Sequence, residues 1–165
     1  MNSPRIDLRI AVKSDYWRQD IDLNALCENI FSRTVFYLIS NKVKYFLDFI
    51  EISLVFTDSN GIKKINTECR GINKPTNVLS FPSFFALSGD CLGPMLGDII
   101  LAYEVIKKET NLLEKKFEDH LTHMIVHGFL HLLGYDHVDD DDACVMEELE
   151  ISILADLGVN DPYAY

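Results

Sequence analysis

The chain has 165 residues, a hydrophobic fraction of 48% and a formal charge of −11. This suits one domain over residues 1–165 with a single buried core. No apolar run reaches the roughly eighteen residues of a membrane span, and the opening residues lack the basic-then-apolar order of a signal peptide, so a membrane or secreted protein is set aside and a cytoplasmic one is expected. Strong acidity argues at first sight against a nucleic-acid partner, because phosphate binding normally needs a basic surface.

The charge is unevenly spread. All 15 Lys and Arg lie within residues 1–135, while Asp136 to Tyr165 carries ten of the 26 acids and no Lys or Arg. The acidity is thus a C-terminal feature, most simply a solvated helix. Cys27, Cys69, Cys91 and Cys144 are scattered without a C-x-x-C pair and read as reduced thiols, which excludes a disulfide framework and a cysteine zinc site.

In chain order, residues 6–13 alternate Ile6, Leu8, Ile10 and Val12 with mostly polar neighbours, the period of a half-buried strand. Residues 22–40 carry apolar side chains mostly three to five apart, with Asp22 or Asn24 able to cap the start, and read as a helix. Residues 49–57 return to alternation, and Asp58-Ser59-Asn60-Gly61 ends that strand and opens a short helix through Cys69, closed by Gly71. Thr76 to Phe81 is a third strand, stopped by Pro82, and residues 82–95, with Gly89, Gly93 and Pro94, read as an exposed loop. Leu96 to Ala102 makes a fourth strand. Tyr103 to Leu133 reads as helix interrupted near Asn111 and ending at Gly134, and a last helix runs from about Asp139 to Leu157. The expected fold is α+β, a small mixed four-stranded sheet packed against about five helices.

Four of the five histidines, His120, His123, His127 and His131, lie on the helix that ends at Gly134. His127 and His131 are four apart, so their rings share a face and can reach one metal ion about 2.0–2.1 Å from each nitrogen. Gly134 lets the chain turn back, and Tyr135-Asp136-His137 brings a third imidazole towards the pair. The spacing H-x-x-x-H-x-x-G-x-x-H is that of the metzincin zinc proteases. Three nitrogens with an open fourth position describe a catalytic site at the end of a central helix; the competing reading is histidines that only pack or hydrogen-bond. His123 is also four from His127 but cannot share an ion with His131, since eight residues of helix separate them by about 12 Å. The Gly134–His137 continuation favours the later pair and leaves His123 to support or pack, and His120, beside Glu118 and Asp119, reads as a surface residue. Metzincins place a glutamate after the first histidine as general base, and here that position is Gly128.

The run His127–His137, HGFLHLLGYDH, resembles the signature of the bacterial YbeY family of metal-dependent endoribonucleases, H-G-x-L-H-L-x-G-Y-D-H, at every fixed position. Asn66–Pro82, NTECRGINKPTNVLSFP, is similar to that family's N-x-x-x-R…K-P-T-[DN]-V-L-S-F-P block. Leu96–Ile99 matches its L-G-D-I strand, and Met146-Glu147-Glu148, Leu157-Gly158 and Asp161-Pro162-Tyr163 fit its tail. The resemblance spans roughly residues 50–163. It implies a single-strand-specific endoribonuclease holding one Zn2+ per chain through His127, His131 and His137. It also implies work on ribosomal RNA, notably 3′-end maturation of 16S rRNA, and in ribosome quality control. Implied partners are single-stranded RNA, ribosomal RNA, the ribosome and ribosomal or GTPase helper proteins, with no membrane and no DNA. The family's functionally important arginine falls on Arg70.

Chemistry agrees residue by residue. Arg70 offers a planar, permanent cation to a phosphate and to charge developing on phosphorus oxygens, or it makes an ordinary ion pair with Glu68 or Glu51. Lys74 can add a second phosphate contact. Asn77 and Ser80 can bond substrate or strand-end backbone. Asp98 needs a partner if buried, as an ion pair or in orienting a ligand histidine, and Asp136 can tune the site or stabilise its turn. Rival readings are a metallopeptidase, opposed by Gly128, and a non-catalytic ribosome-assembly factor that zinc merely stabilises. Against the acidic total, Lys107 to Lys116 and the segments around Lys63, Lys64, Arg70 and Lys74 offer a local basic surface.

Overall fold

The computed structural model describes residues 3–18, 21–84 and 90–164. Its elements are β1 (Arg5–Val12), α1 (Leu23–Ser40), β2 (Tyr45–Phe46), β3 (Phe49–Thr57), α2 (Ser59–Arg70), β4 (Val78–Pro82), β5 (Cys91–Leu92), β6 (Met95–Ala102), α3 (Tyr103–Leu112), α4 (Phe117–Leu132) and α5 (Asp140–Asp156). Five helices and a mixed four-stranded sheet agree with the fold read from the sequence.

Local chemistry sets the helix starts. Asp22 accepts the Ala25 N–H at 3.1 Å to begin α1, Asp58 accepts the Gly61 N–H at 2.8 Å for α2, and Asp139 accepts the Asp142 N–H at 2.8 Å for α5. The long helical stretch divides into α3 and α4 just beyond Asn111, where Glu114 takes a positive φ of 54°.

Sheet order is β1-β3-β6-β4. β3 pairs in parallel with β1 and β6, and β4 runs antiparallel to β6 at the edge. Alternation on the strands sends side chains to two cores. Ile52 and Leu54 of β3 with Ile99 and Leu101 of β6 pack under α1, α4 and α5 through Phe31, Ile125, Phe129 and Ile153. Ile100 and Ala102 face the other way, onto Leu79 and Ile62 of α2. β4 thus lies beside α4 on one face of the sheet's edge, which is where the histidine helix meets the strand carrying the second sequence block.

Within the stretch expected to be exposed loop, β5 forms a two-residue ladder with β2, and its Leu92 is buried. Neither dipeptide is long enough to show a period. Gly89, also placed in that loop, lies outside the described residues.

α4 approaches the sheet closely only because position 128 has no side chain. A Cβ there would meet Ile99 Cγ2 at 3.0 Å, Ser80 Oγ at 3.1 Å and Val78 Cγ2 at 3.2 Å. The Ser80 hydroxyl also donates to the Gly128 carbonyl at 2.9 Å, fastening β4 to the helix. Gly128→Ala is expected to lower stability by about 1–3 kcal/mol through overpacking, read as a lower urea midpoint with an unchanged slope.

Candidate metal centre

Most of α4 is buried, and only towards its C-terminal end do His127 and His131 become partly exposed. Gly134, at φ 99°, reverses the chain there. The Gly134 N–H donates to the His131 carbonyl and the Tyr135 N–H to the Leu130 carbonyl, both at 3.1 Å, which is the paired helix-ending pattern of a Schellman motif. The reversal carries His137 back, and Asp136 fixes it by accepting the His137 N–H at 2.7 Å. Asp136 therefore has the turn-stabilising contact considered for it.

His127, His131 and His137 each offer a nitrogen within 4.8 Å of the others, at an open cleft of about 1150 Å³. The Nε2 atoms of His127 and His131 are 3.1 Å apart, close to the roughly 3.3 Å expected between two tetrahedral ligands with bonds of about 2.0–2.1 Å. Partners fix the protons. The Tyr135 carbonyl, 2.9 Å from His131 Nδ1, can only accept, so that nitrogen carries the hydrogen. The Glu150 carboxylate, 2.5 Å from His127 Nδ1, does the same for His127. Both Nε2 lone pairs then point at a common place, an arrangement that repels unless a cation lies between them. Burial lowers the His131 pKa, and His127 and His137 lower it further against the Tyr135 carbonyl and Asp136, so a proton is a poor occupant. The donor set fits a divalent metal of nitrogen preference.

Glu150 was not singled out by the sequence reading, which placed it in a solvated acidic helix. Asp140 to Asp142, Glu147 and Glu148 are indeed exposed, but Glu150 is fully buried. Its signal was positional, since Met146, Glu150, Ile153 and Leu154 share the buried face at helical spacing. Burial acts to raise its pKa, but hydrogen bonds from His123, His127 and Tyr163 prevail and hold the carboxyl at about 2. His123 Nε2 lies 2.8 Å and the Tyr163 hydroxyl 2.5 Å from Glu150 Oε2. His123 thus reaches His127 through Glu150, and His123, His127 and Glu150 form a second group whose ligand atoms lie within 4.8 Å of one another.

His120 corrects an expectation. It is buried, not a surface residue, and its Nε2 donates to Glu109 at 3.0 Å. It continues the stripe of His123 and His127 along α4, and burial lowers its pKa first, so the ring stays neutral. The flanking acids Glu118 and Asp119 belong to the helix's first turn and disguise this.

Arg70, at the end of α2, is exposed, lines the cleft with the three histidines and makes no ion pair among the described residues. Glu51 pairs with Arg9 at 3.7 Å instead. Lys74 is exposed on the following loop, where its carbonyl accepts from Asn66 Nδ2 at 2.9 Å, and it is not among the cleft-lining residues. Asn77 and Ser80 line the cleft yet bond protein groups, Glu109 at 3.2 Å and the Gly128 carbonyl. Asp98 is exposed on β6, so the condition of burial attached to it is not met.

The family profile described as Endoribonuclease YbeY matches residues 13–158. The Endoribonuclease YbeY of Sinorhizobium fredii is 52% identical over 159 residues, covering 96% of this chain and 92% of that protein. That of Agrobacterium fabrum is 48% identical over 160 residues, covering 96% and 95%. A Thermotoga maritima protein solved in solution has TM-score 0.60 at 21% identity, over 96% of this chain and 99% of that one, a likeness of fold. With the profile running from the residue after β1 to just beyond α5 and relatives matched along almost the whole sequence, the chain belongs to the Endoribonuclease YbeY family.

Proposed function

We propose that this protein is a zinc-dependent endoribonuclease that cuts single-stranded RNA. It acts in the cytoplasm, in 3′-end maturation of 16S rRNA and in ribosome quality control, with the ribosome and ribosomal or GTPase proteins as partners. The observation that carries the reading is the convergence, on one open cleft, of three imidazole nitrogens and an arginine that has no ion pair among the described residues. One Zn2+ per chain fits His127, His131 and His137, and when bound it supplies Lewis acidity towards water and a phosphoryl oxygen. Arg70, which makes no ion pair among the described residues, can accept a phosphate from solvent and stabilise charge building on its oxygens. Lys74, on the loop that follows α2 and outside the cleft's lining, suits a further phosphate of an extended strand.

The peptidase alternative fails on space as well as chemistry. Gly128 stands where a glutamate base would be, and atoms of Ile99, Ser80 and Val78 already occupy the region of its absent Cβ. The non-catalytic alternative predicts no need for a cleft open to solvent beside the ligands.

Three outcomes are expected. With purified protein, chelation or His127→Ala abolishes cleavage of single-stranded RNA, zinc restores the chelated parent only, and denatured protein substrate remains uncut throughout. A His127→Ala protein cutting RNA at the parental rate would sink the reading. Arg70→Ala lowers kcat by about 10²–10³-fold, with a far-UV spectrum like the parent's, because it removes a charge that acts where negative charge develops. Raising salt from about 50 to 200 mM weakens RNA binding steeply, and Lys74→Ala makes that dependence shallower by about one phosphate contact.

A further inference from the structure

Glu150 is fully buried and has no lysine or arginine within ion-pair distance among the described residues. Removing a carboxylate from water costs several kcal/mol, and an apolar side chain would fill such a position in α5 with no charge to compensate. What compensates here is a set of three donors divided unevenly between its oxygens. Tyr163 and His123 both hold Oε2, at 2.5 and 2.8 Å, and among the described residues Oε1 is left to His127 Nδ1. The carboxylate is therefore held from one side and aimed from the other.

We propose that Glu150, anchored by Tyr163 and His123, is a positioning residue that fixes the tautomer and ring orientation with which His127 presents Nε2 to the metal. This rests on reading His127, His131 and His137 as one metal site. A carboxylate accepting Nδ1–H makes the opposite nitrogen more basic and locks the ring plane, and the metal's charge across the ring balances the buried anion. Tyr163 extends the device to the chain's end. It follows the turn at Gly158, and beside it the Pro162 carbonyl accepts from Lys115 Nζ at 3.2 Å, so the last residues are fastened to the α3–α4 connection while the phenol reaches Glu150.

The test measures zinc affinity by competition with a chromogenic chelator, and the His127 tautomer by imidazole 15N NMR on metal-free protein. Full-length parent, Glu150→Gln, Tyr163→Phe, His137→Ala and the core truncation Ile50→Val are compared. Glu150→Gln is expected to weaken zinc binding about 10–100-fold and to turn a single Nδ1–H tautomer of His127 into a mixture, since an amide can donate as well as accept. Tyr163→Phe is expected to weaken binding several-fold, and it carries the test if Glu150→Gln does not fold. Ile50→Val should change melting temperature but neither affinity nor tautomer. If His137→Ala loses zinc while Glu150→Gln and Tyr163→Phe bind it within twofold of the parent, the positioning role is overturned and the metal site stands. If His137→Ala itself keeps parental affinity, the site reading falls and the positioning role falls with it.

Discussion

Glu150 places a negative charge where solvent does not reach, and three side chains from separate parts of the chain must converge on it. Two of them, His123 and His127, come from α4, and the third, Tyr163, from the segment beyond α5. A buried carboxylate losing any of these donors would be left partly unsatisfied, at about 1–3 kcal/mol or more per lost bond. The packing of α5 against α4 is consequently set by hydrogen-bond geometry as well as by the contacts of Met146, Ile153 and Leu154. The position of the His127 ring follows from it.

The other side of α4 is set by the absence of a side chain. Gly128 lets the helix backbone approach Ile99 and Val78, and the Ser80 hydroxyl closes the contact on the helix carbonyl. The histidine helix is thus fixed between an edge strand and an acidic helix, and its free end opens where β4 and the turn at Gly134 leave room for a cleft. The same glycine that permits this packing removes the base used by proteases with this ligand spacing. One residue therefore serves the fold and narrows the chemistry.

Periodicity and caps made much of this legible. The strands show in alternating Ile, Leu and Val, the helix starts in Asp22, Asp58 and Asp139, and the metal site in a spacing that only a helix followed by a reversal can fold onto one point. What stayed hidden was hidden for physical reasons. Glu150 reads as one more acid in an acidic run, and only its registration with Met146 and Ile153 marks it as inward. His120 sits beside two first-turn acids that mimic a surface, although its spacing from His123 and His127 continues the buried stripe. The β2–β5 ladder depends wholly on tertiary pairing, for two residues carry no period.

The charge of −11 is a sum over a surface on which local terms decide. In physiological salt, exposed charges further apart than about 8 Å are largely screened, so acids remote from the cleft weigh little on a phosphate beside Arg70. Asp136 lines the cleft, and Asp142 shows how crowded its neighbours are, its pKa raised chiefly by the Asp139 carboxylate with Asp136 and Asp141 adding to it. Such a cluster repels phosphate and attracts cations, whereas Arg70 and Lys74, on α2 and its following loop, do the reverse. A polyanion entering the cleft would therefore be drawn to its Arg70 side. A negative total is compatible with a polyanionic ligand because the two signs occupy different elements of the fold.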